Sequence, residues 1–506
     1  MRRSSGVPMF EKTFDIVIIG SGAGGGTVAK ELAPLCSDGI RVAVLEWGPK
    51  LSGDEFTGNE VDMAKKLFVD SGGVLTKDGN MTLAMGKGYG GSTLSYTGTS
   101  MTVPKEVIDR WAVPGLTHGD VATRAQKYKE ENNVHFQPEE LLNDNNLLFQ
   151  KGCRTLGYNV EQFPLNLKGC KGAGICNLGC PNQAKQGTHI VQLPEAEKAG
   201  VEVITNCLVE HIGIQEIEAV VENAPFGEPS TWEEGRYLIK AKIIVVCAGA
   251  VHSSALLLNS GFGDRLPALG RYLTVHPALI LVAEHPHAIS NFTGHPKSFF
   301  SDHFWRSDGF LLESCMYYPF ITAKNMVGFG SDHSQLMQAF PRLQMILVLA
   351  VDQAEANNRV EIDGDGRPVV DYTLSNVTLD SLHMSMKAAT RIFFAAGASR
   401  VHAPAGKRFF IEATQADDIE RLIPRNKVVP GRISITSAHL MGGCRMGEDL
   451  QTSVTDSWGR VHDHPGLFVA DSALLPRANE INPYLTVMAL ADRVAERIRL
   501  DAGELL

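Results

Sequence analysis

Gly20-Ser21-Gly22-Ala23-Gly24-Gly25 is a stretch whose residue types and spacing could cradle a phosphate. Gly20 permits a tight turn, Gly22 lets backbone approach a pyrophosphate, and Gly25 lets a helix pack closely on a strand. Glu46, at the end of the next apolar run, could accept hydrogen bonds from ribose hydroxyls. The pyrophosphate would sit at a helix N-terminus, where free N–H groups and the helix dipole favour an anion. This motif alone does not separate a flavin dinucleotide from a nicotinamide one. A second chemical candidate is Cys170, Cys176 and Cys180 in CKGAGICNLGCPNQAKQGT. Short cysteine spacings ending in Cys-Pro resemble iron–sulfur ligand runs. Zinc would need a fourth ligand that is not evident nearby.

The glycine motif requires a strand before it and a helix after it, and the sequence supplies both. FDIVIIG reads as a buried parallel strand, GTVAKELAPL as a helix and RVAVLE as a second strand. VEVIT and YLIKAKIIVVCAG read as further strands, AVHSSALLLNSG as a helix, and GLFVADSALLP with NPYLTVMALADRVAERIR as a closing strand, loop and amphipathic helix. Residues 100–165 are polar and loop-rich, whereas 265–430 carry runs such as ALILVAEH and LQMILVLAVD that suggest an antiparallel sheet. The expected fold is α/β (α+β overall). A Rossmann-like dinucleotide-binding domain would be built discontinuously from 1–100, 165–265 and 430–506, with a substrate domain from 101–164 and 266–429 inserted into it.

Gly86-Lys87-Gly88-Tyr89-Gly90-Gly91-Ser92 is a second glycine-rich loop. With it the sequence resembles the glucose–methanol–choline (GMC) oxidoreductase family, and more specifically its branch of bacterial long-chain alcohol oxidases and cholesterol oxidases. Gly249 to Gly261 matches the family's second signature. The resemblance implies FAD beneath Gly86, Gly90, Gly91 and Ser92, with Val209, Ala248, Asp471, Pro483 and Thr486 also against it. Some members attach FAD through a histidine just after the double glycine; Thr93 to Tyr96 stand there in this chain, so non-covalent FAD is implied. His439 in SAHLMGGCRMG and Asn482 in NEINPYLTV match the family's catalytic pair. Hydride transfer from an alcohol carbon to flavin N5 leaves a hydroxyl that must lose its proton. His439 would accept that proton as a base, since an unperturbed imidazole titrates near ~6.5. Asn482 would hydrogen-bond the same oxygen and contact the flavin. The implied activity is an alcohol oxidase or dehydrogenase giving an aldehyde or ketone from a hydrophobic alcohol, with oxygen or another electron acceptor as second substrate.

The cysteine run leaves an alternative open. Sugar and polyol dehydrogenase subunits of the same family, which pass electrons through an iron–sulfur cluster to a cytochrome, use a similar spacing. A flavin protein without alcohol chemistry would not need both His439 and Asn482, and a nicotinamide enzyme would not need the 86–91 loop. Nine cysteines, an odd number spread over 506 residues, do not form a secreted disulfide framework. A net charge of −10 gives no footing for nucleic acid. No segment supplies the roughly 20 unbroken apolar residues of a membrane span. Arg2 and Arg3 hint at an export signal, but no separate apolar region follows them, so a cytoplasmic location is expected.

Overall fold

A computed structural model describes residues 9–289 and 291–506. Arg2 and Arg3 lie outside the described residues. The first sheet has seven strands. Its centre is Met9–Ile19, whose last four residues are buried without a break. It runs parallel to Val42–Leu45 on one side and to Gly235–Val246 on the other. A strand buried on both faces has no polar positions to alternate, which is why FDIVIIG reads as a continuous apolar run. Glu202–Ile204 extends the sheet beyond Val42–Leu45, and Leu467–Val469 adds in parallel to Gly235–Val246. The hairpin partners Cys207–Ile212 and Glu216–Val221 complete it in antiparallel register. Helix Ala23–Leu32 follows the first strand at once, and the closing helix Tyr484–Leu505 packs against it.

The second sheet has ten strands. Its middle is antiparallel: Ala278–Glu284 pairs with Leu343–Ala350, which pairs with Phe310–Ser314. All three strands are buried on both faces. Leu279, Leu281, Ile346 and Val348 pack with Leu382, Met386 and Ile392 of helix Asn376–Ala396. The alternate residues, Ala278, Ile280, Leu347 and Leu349, belong to the core facing the first sheet. Double burial explains why ALILVAEH and LQMILVLAVD carry so few polar positions. Two strands come from segments that the sequence reading places in the dinucleotide-binding unit: Met81–Leu83, and Ile435–Ser437 beside it in parallel. A side strand is held by backbone pairing, which has no residue-type signature, so short strands such as these do not announce their sheet.

Candidate active site

A cavity of about 2090 Å³ lies between the sheets and is lined by both. One end is made of backbone. The chain leaves the first strand through Gly20, at φ +100°, and enters helix Ala23–Leu32 with Gly22 as its N-cap and no side chain capping it. A Cβ on Gly20 would strike the Cys247 carbonyl oxygen at 2.4 Å, on Gly24 that of Ala470 at 1.9 Å, and on Gly25 that of Gly20 at 1.9 Å. These three glycines answer to the protein's own packing. Gly22 does not: a Cβ there would meet only the Cα of Gly91, at 3.9 Å. It lines the cavity beside the uncapped first turn of the helix. Gly91, at φ +52°, belongs to the second glycine loop, which crosses the first here; a Cβ on Gly91 would lie 2.7 Å from Gly22 Cα. Bare backbone, an uncapped helix N-terminus and this volume fit a dinucleotide pyrophosphate.

Two buried carboxylates tie this end together. Glu46 accepts from Ser21 N (3.0 Å), Ser21 Oγ (2.6 Å), Gly48 N (2.8 Å) and Gly88 N (3.2 Å), which joins both glycine loops to the end of the second strand. Burial raises its pKa and these bonds oppose the rise. Asp471 accepts from Gly249 N (2.8 Å), Ser253 Oγ (2.5 Å) and Ala473 N (2.7 Å), so it caps helix Gly249–Asn259 from the C-terminal segment. Burial likewise raises its pKa, against the same three donors. Gly86, Ser92, Val209 and Ala248 line the cavity too, as do Glu46 and Asp471. Gly25, Gly90 and Thr486 do not. Gly25 packs on Gly20 and Cys247, Gly90 on His189, and Thr486 accepts from Asn479 Nδ2 at 3.3 Å. Trp47, whose ring lies 5.7 Å from that of His252, is a wall residue that sequence reasoning missed.

The other end is made of side chains. His439 sits between Ile435–Ser437 and Leu440–Met441, and the latter pairs antiparallel with Thr274–Val275. That register sets His276 against His439: their Nδ1 atoms are 3.1 Å apart and their rings meet edge to face at 87°. Two Nδ1 atoms at this distance share one proton. His439 Nε2 has no protein partner among the described residues, so it is the nitrogen left for a ligand in the cavity wall. Burial, then the charges of His276 and Lys297, hold the His439 pKa well below its usual value. Burial lowers that of His276 to about 3. Both rings are therefore neutral at neutral pH. Asn482 and Pro483 line the same cavity, just before the closing helix. Asn482 is buried, and its Oδ1 has no hydrogen-bond partner. No described protein group accepts from its Nδ2 either, which leaves the amide N–H free to donate into the cavity that Asn482 lines. His276 carried no sequence signal beyond being one more isolated histidine.

The iron–sulfur alternative at the cysteine trio is not supported. Among the described residues no three His, Cys, Asp or Glu side chains converge as a metal-ligand set, and all nine cysteines are free. Cys170, Cys176 and Cys180 flank a separate cavity of about 20 Å³, room for one water. The loop is organised by a cation instead. The buried Lys185 ammonium donates to the carbonyls of Leu94 (2.7 Å), Tyr96 (2.8 Å) and Cys176 (2.6 Å), and burial lowers its pKa to about 8. Burial also pushes the Cys176 thiol up to about 12.

Fold and cavity together define a two-sheet α/β architecture whose glycine-lined end fits a dinucleotide and whose lining also includes His439 and Asn482. The comparisons make this specific. The N-terminal and C-terminal patterns of the GMC oxidoreductase family match residues 64–278 and 354–491. The chain belongs to the GMC oxidoreductase family, and membership implies FAD. An uncharacterized GMC-type oxidoreductase of Mycobacterium tuberculosis is 30% identical over 491 residues, covering 96% of this chain and 75% of that one. A long-chain-alcohol oxidase of Arabidopsis thaliana is 26% identical over 523 residues, covering 98% and 68%. The crystal structure of pyridoxine 4-oxidase from Mesorbium loti superimposes with a TM-score of 0.70 at 18% identity, covering 96% of this chain and 99% of that one, a likeness of fold. Among the described residues no helix is long and apolar enough to cross a membrane.

Proposed function

We propose that this protein is an FAD-dependent alcohol oxidoreductase that oxidises an alcohol with an apolar skeleton to its aldehyde or ketone. The observation that carries the reading is that one cavity is lined both by His439, whose Nε2 has no protein partner, and by Asn482, whose amide no protein group among the described residues engages. FAD, when bound, supplies the hydride acceptor. Gly22, Gly91, Ser92 and the uncapped turn at Ala23 would hold its pyrophosphate, with Val209 and Ala248 along the rest of the dinucleotide. His439 accepts the hydroxyl proton at Nε2. For that its Nδ1 must keep the shared proton and donate it to His276 Nδ1, so His276 fixes the tautomer that can act as a base. The depressed pKa keeps His439 unprotonated before substrate arrives. Asn482 donates from its amide Nδ2 to the same oxygen and so orients the carbinol carbon. Ala278, Ile280, Leu347 and Leu349 give the cavity an aliphatic floor and keep water from the reacting hydroxyl. The alcohol-oxidase relatives support this substrate class.

The test is the visible spectrum of protein purified without air, recorded before and after a panel of alcohols. Oxidised-flavin bands that bleach with primary aliphatic alcohols are the expected result. A yellow, folded protein that no alcohol bleaches would overturn the proposal.

A further inference from the structure

Lys185 is a buried charge that takes no part in moving the proton or orienting the alcohol. It is 1% exposed, and its ammonium donates to the carbonyls of Leu94, Tyr96 and Cys176. Three other cations are buried among the described residues, and each faces a carboxylate: Lys297 meets Glu313, Lys387 meets Glu420 and Arg493 meets Asp120. No carboxylate acts on Lys185. The ionisable groups that do are the thiols of Cys176 and Cys180, and burial holds that of Cys176 protonated. Three carbonyl dipoles solvate the ammonium but leave its unit charge uncancelled. Burial lowers its pKa only to about 8, so it stays charged at neutral pH.

This charge stands behind one stretch of the cavity wall. Leu94 and Tyr96 continue the second glycine loop, and Ser92, Thr93, Ser95, Tyr96 and Thr97 line the cavity. Lys185 Nζ lies 5.3 Å from the centre of the Tyr96 ring. That ring meets Tyr484 edge to face, with 4.9 Å between centroids, and Tyr484 is the second residue after Asn482. The wall backed by Lys185 therefore connects the cradle at Gly91 with the segment that carries Asn482. Oxidation of the alcohol moves a hydride, which is two electrons and one proton, from the carbinol carbon to the flavin, and the hydroxyl proton to His439. The flavin thereby gains one unit of negative charge in a cavity with few compensating groups. A fixed cation nearby stabilises that charge and does little for the uncharged oxidised ring.

We propose that Lys185 is the counter-charge for reduced flavin: an ammonium, fixed by the carbonyls of Leu94, Tyr96 and Cys176, that raises the preference of the site for reduced over oxidised FAD. This rests on the FAD reading and on no particular alcohol. It gives the electron-accepting side of the site a residue of its own, where His439 and Asn482 serve the alcohol. The choice of partners fits the role, because backbone carbonyls fix an ammonium without neutralising it, whereas a carboxylate would cancel its charge.

The readout is the midpoint potential of bound FAD, from reductive titration against an indicator dye without air, which needs no alcohol. Lys185→Met keeps an unbranched side chain and removes the charge; Lys185→Arg keeps the charge. In the Met variant the preference for reduced FAD should fall about 10-fold, which lowers the midpoint potential of a two-electron couple by about 30 mV. The Arg variant should stay closer to the unmodified protein. A yellow Lys185→Met protein with an unchanged potential would overturn the proposal. So would an equal loss of affinity for both forms of FAD, which marks an ammonium that serves the pyrophosphate or the loop alone, and so would equal drops in the two variants. Because Lys185→Met strips three carbonyls of their donor and could fail to fold, a second pair adds the missing anion and leaves the ammonium in place. Cys180 is partly exposed and near enough to act on Lys185. Cys180→Asp should have a lower midpoint potential than Cys180→Asn, its neutral match; equal potentials would overturn the counter-charge. If no alcohol reduces the flavin, the alcohol-oxidoreductase reading fails and the potentials still decide the role of Lys185. Protein that takes up no FAD would overturn both.

Discussion

The two ends of the cavity are built by different means. At the cradle the working groups are backbone: Gly22, Gly91 and the uncapped first turn of helix Ala23–Leu32, braced by Glu46 and Asp471. At the other end the candidate groups are side chains: Lys297, His439 and Asn482 line the cavity and His276 meets His439, four separated stretches of chain. A backbone site demands small residues at fixed local spacing. A side-chain site demands correct register between strands, and many sequences meet that demand. On the proposed function, the cradle would suit any reaction that uses the same dinucleotide, and the side-chain end would select which molecule reacts.

The largest expected effect tests the cradle. Gly22→Val should give folded protein without FAD, because the protein leaves room at that position and a pyrophosphate does not. Flavin absorbance per protein, with the near-ultraviolet dichroism unchanged, is the measurement; full occupancy would detach Gly22 from the cofactor.

At the other end His439→Ala should keep FAD and slow its reduction by alcohol on the order of 10²–10⁴-fold, the usual loss for a general base. Stopped-flow bleaching measures it, and an unchanged rate would remove His439 from the mechanism. In the unmodified protein the acid limb of this rate should lie below pH ~6.5, since burial depresses the His439 pKa.

The smallest effect per residue distinguishes groups that titrate from backbone that does not. Burial is the leading cause of lowered pKa values at His189 (about 3), His252 (about 4), His276 (about 3), His295 (about 4), His402 (about 4) and His439. The folded state keeps these rings neutral, whereas the unfolded chain protonates them near ~6.5. Stability is thus complete above that pH and falls as the pH drops from it toward about 4. Each ring contributes a slope approaching ~1.4 kcal/mol per pH unit. Denaturant unfolding at about pH 7.5 and about pH 5.5 measures the sum; equal free energies at the two would show that these histidines are not held neutral.

Much of the cradle was legible because its requirements are local. A turn at positive φ, a close backbone approach and a helix start each constrain residue type within a few positions, and Gly20 to Gly25 meets all of them in order. The same locality misled at the cysteines. Cys170, Cys176 and Cys180 have ligand-like spacing, but spacing does not reveal that the Lys185 ammonium, a residue with no motif of its own, organises the loop. The fully buried strands of the second sheet were legible as strands and silent about their faces, because both faces are apolar.

By itself the sequence determined the α/β framework, the glycine-rich turns and the GMC family, and it singled out His439 and Asn482 as candidates, since these rest on local backbone demands and on motif order. Tertiary structure alone decided that His276 meets His439 and that Lys297 meets the fully buried Glu313. The reason is geometric: side chains alternate across a strand with a period of two, so a shift of one residue in register would turn Glu313 to the opposite face with no change in sequence pattern.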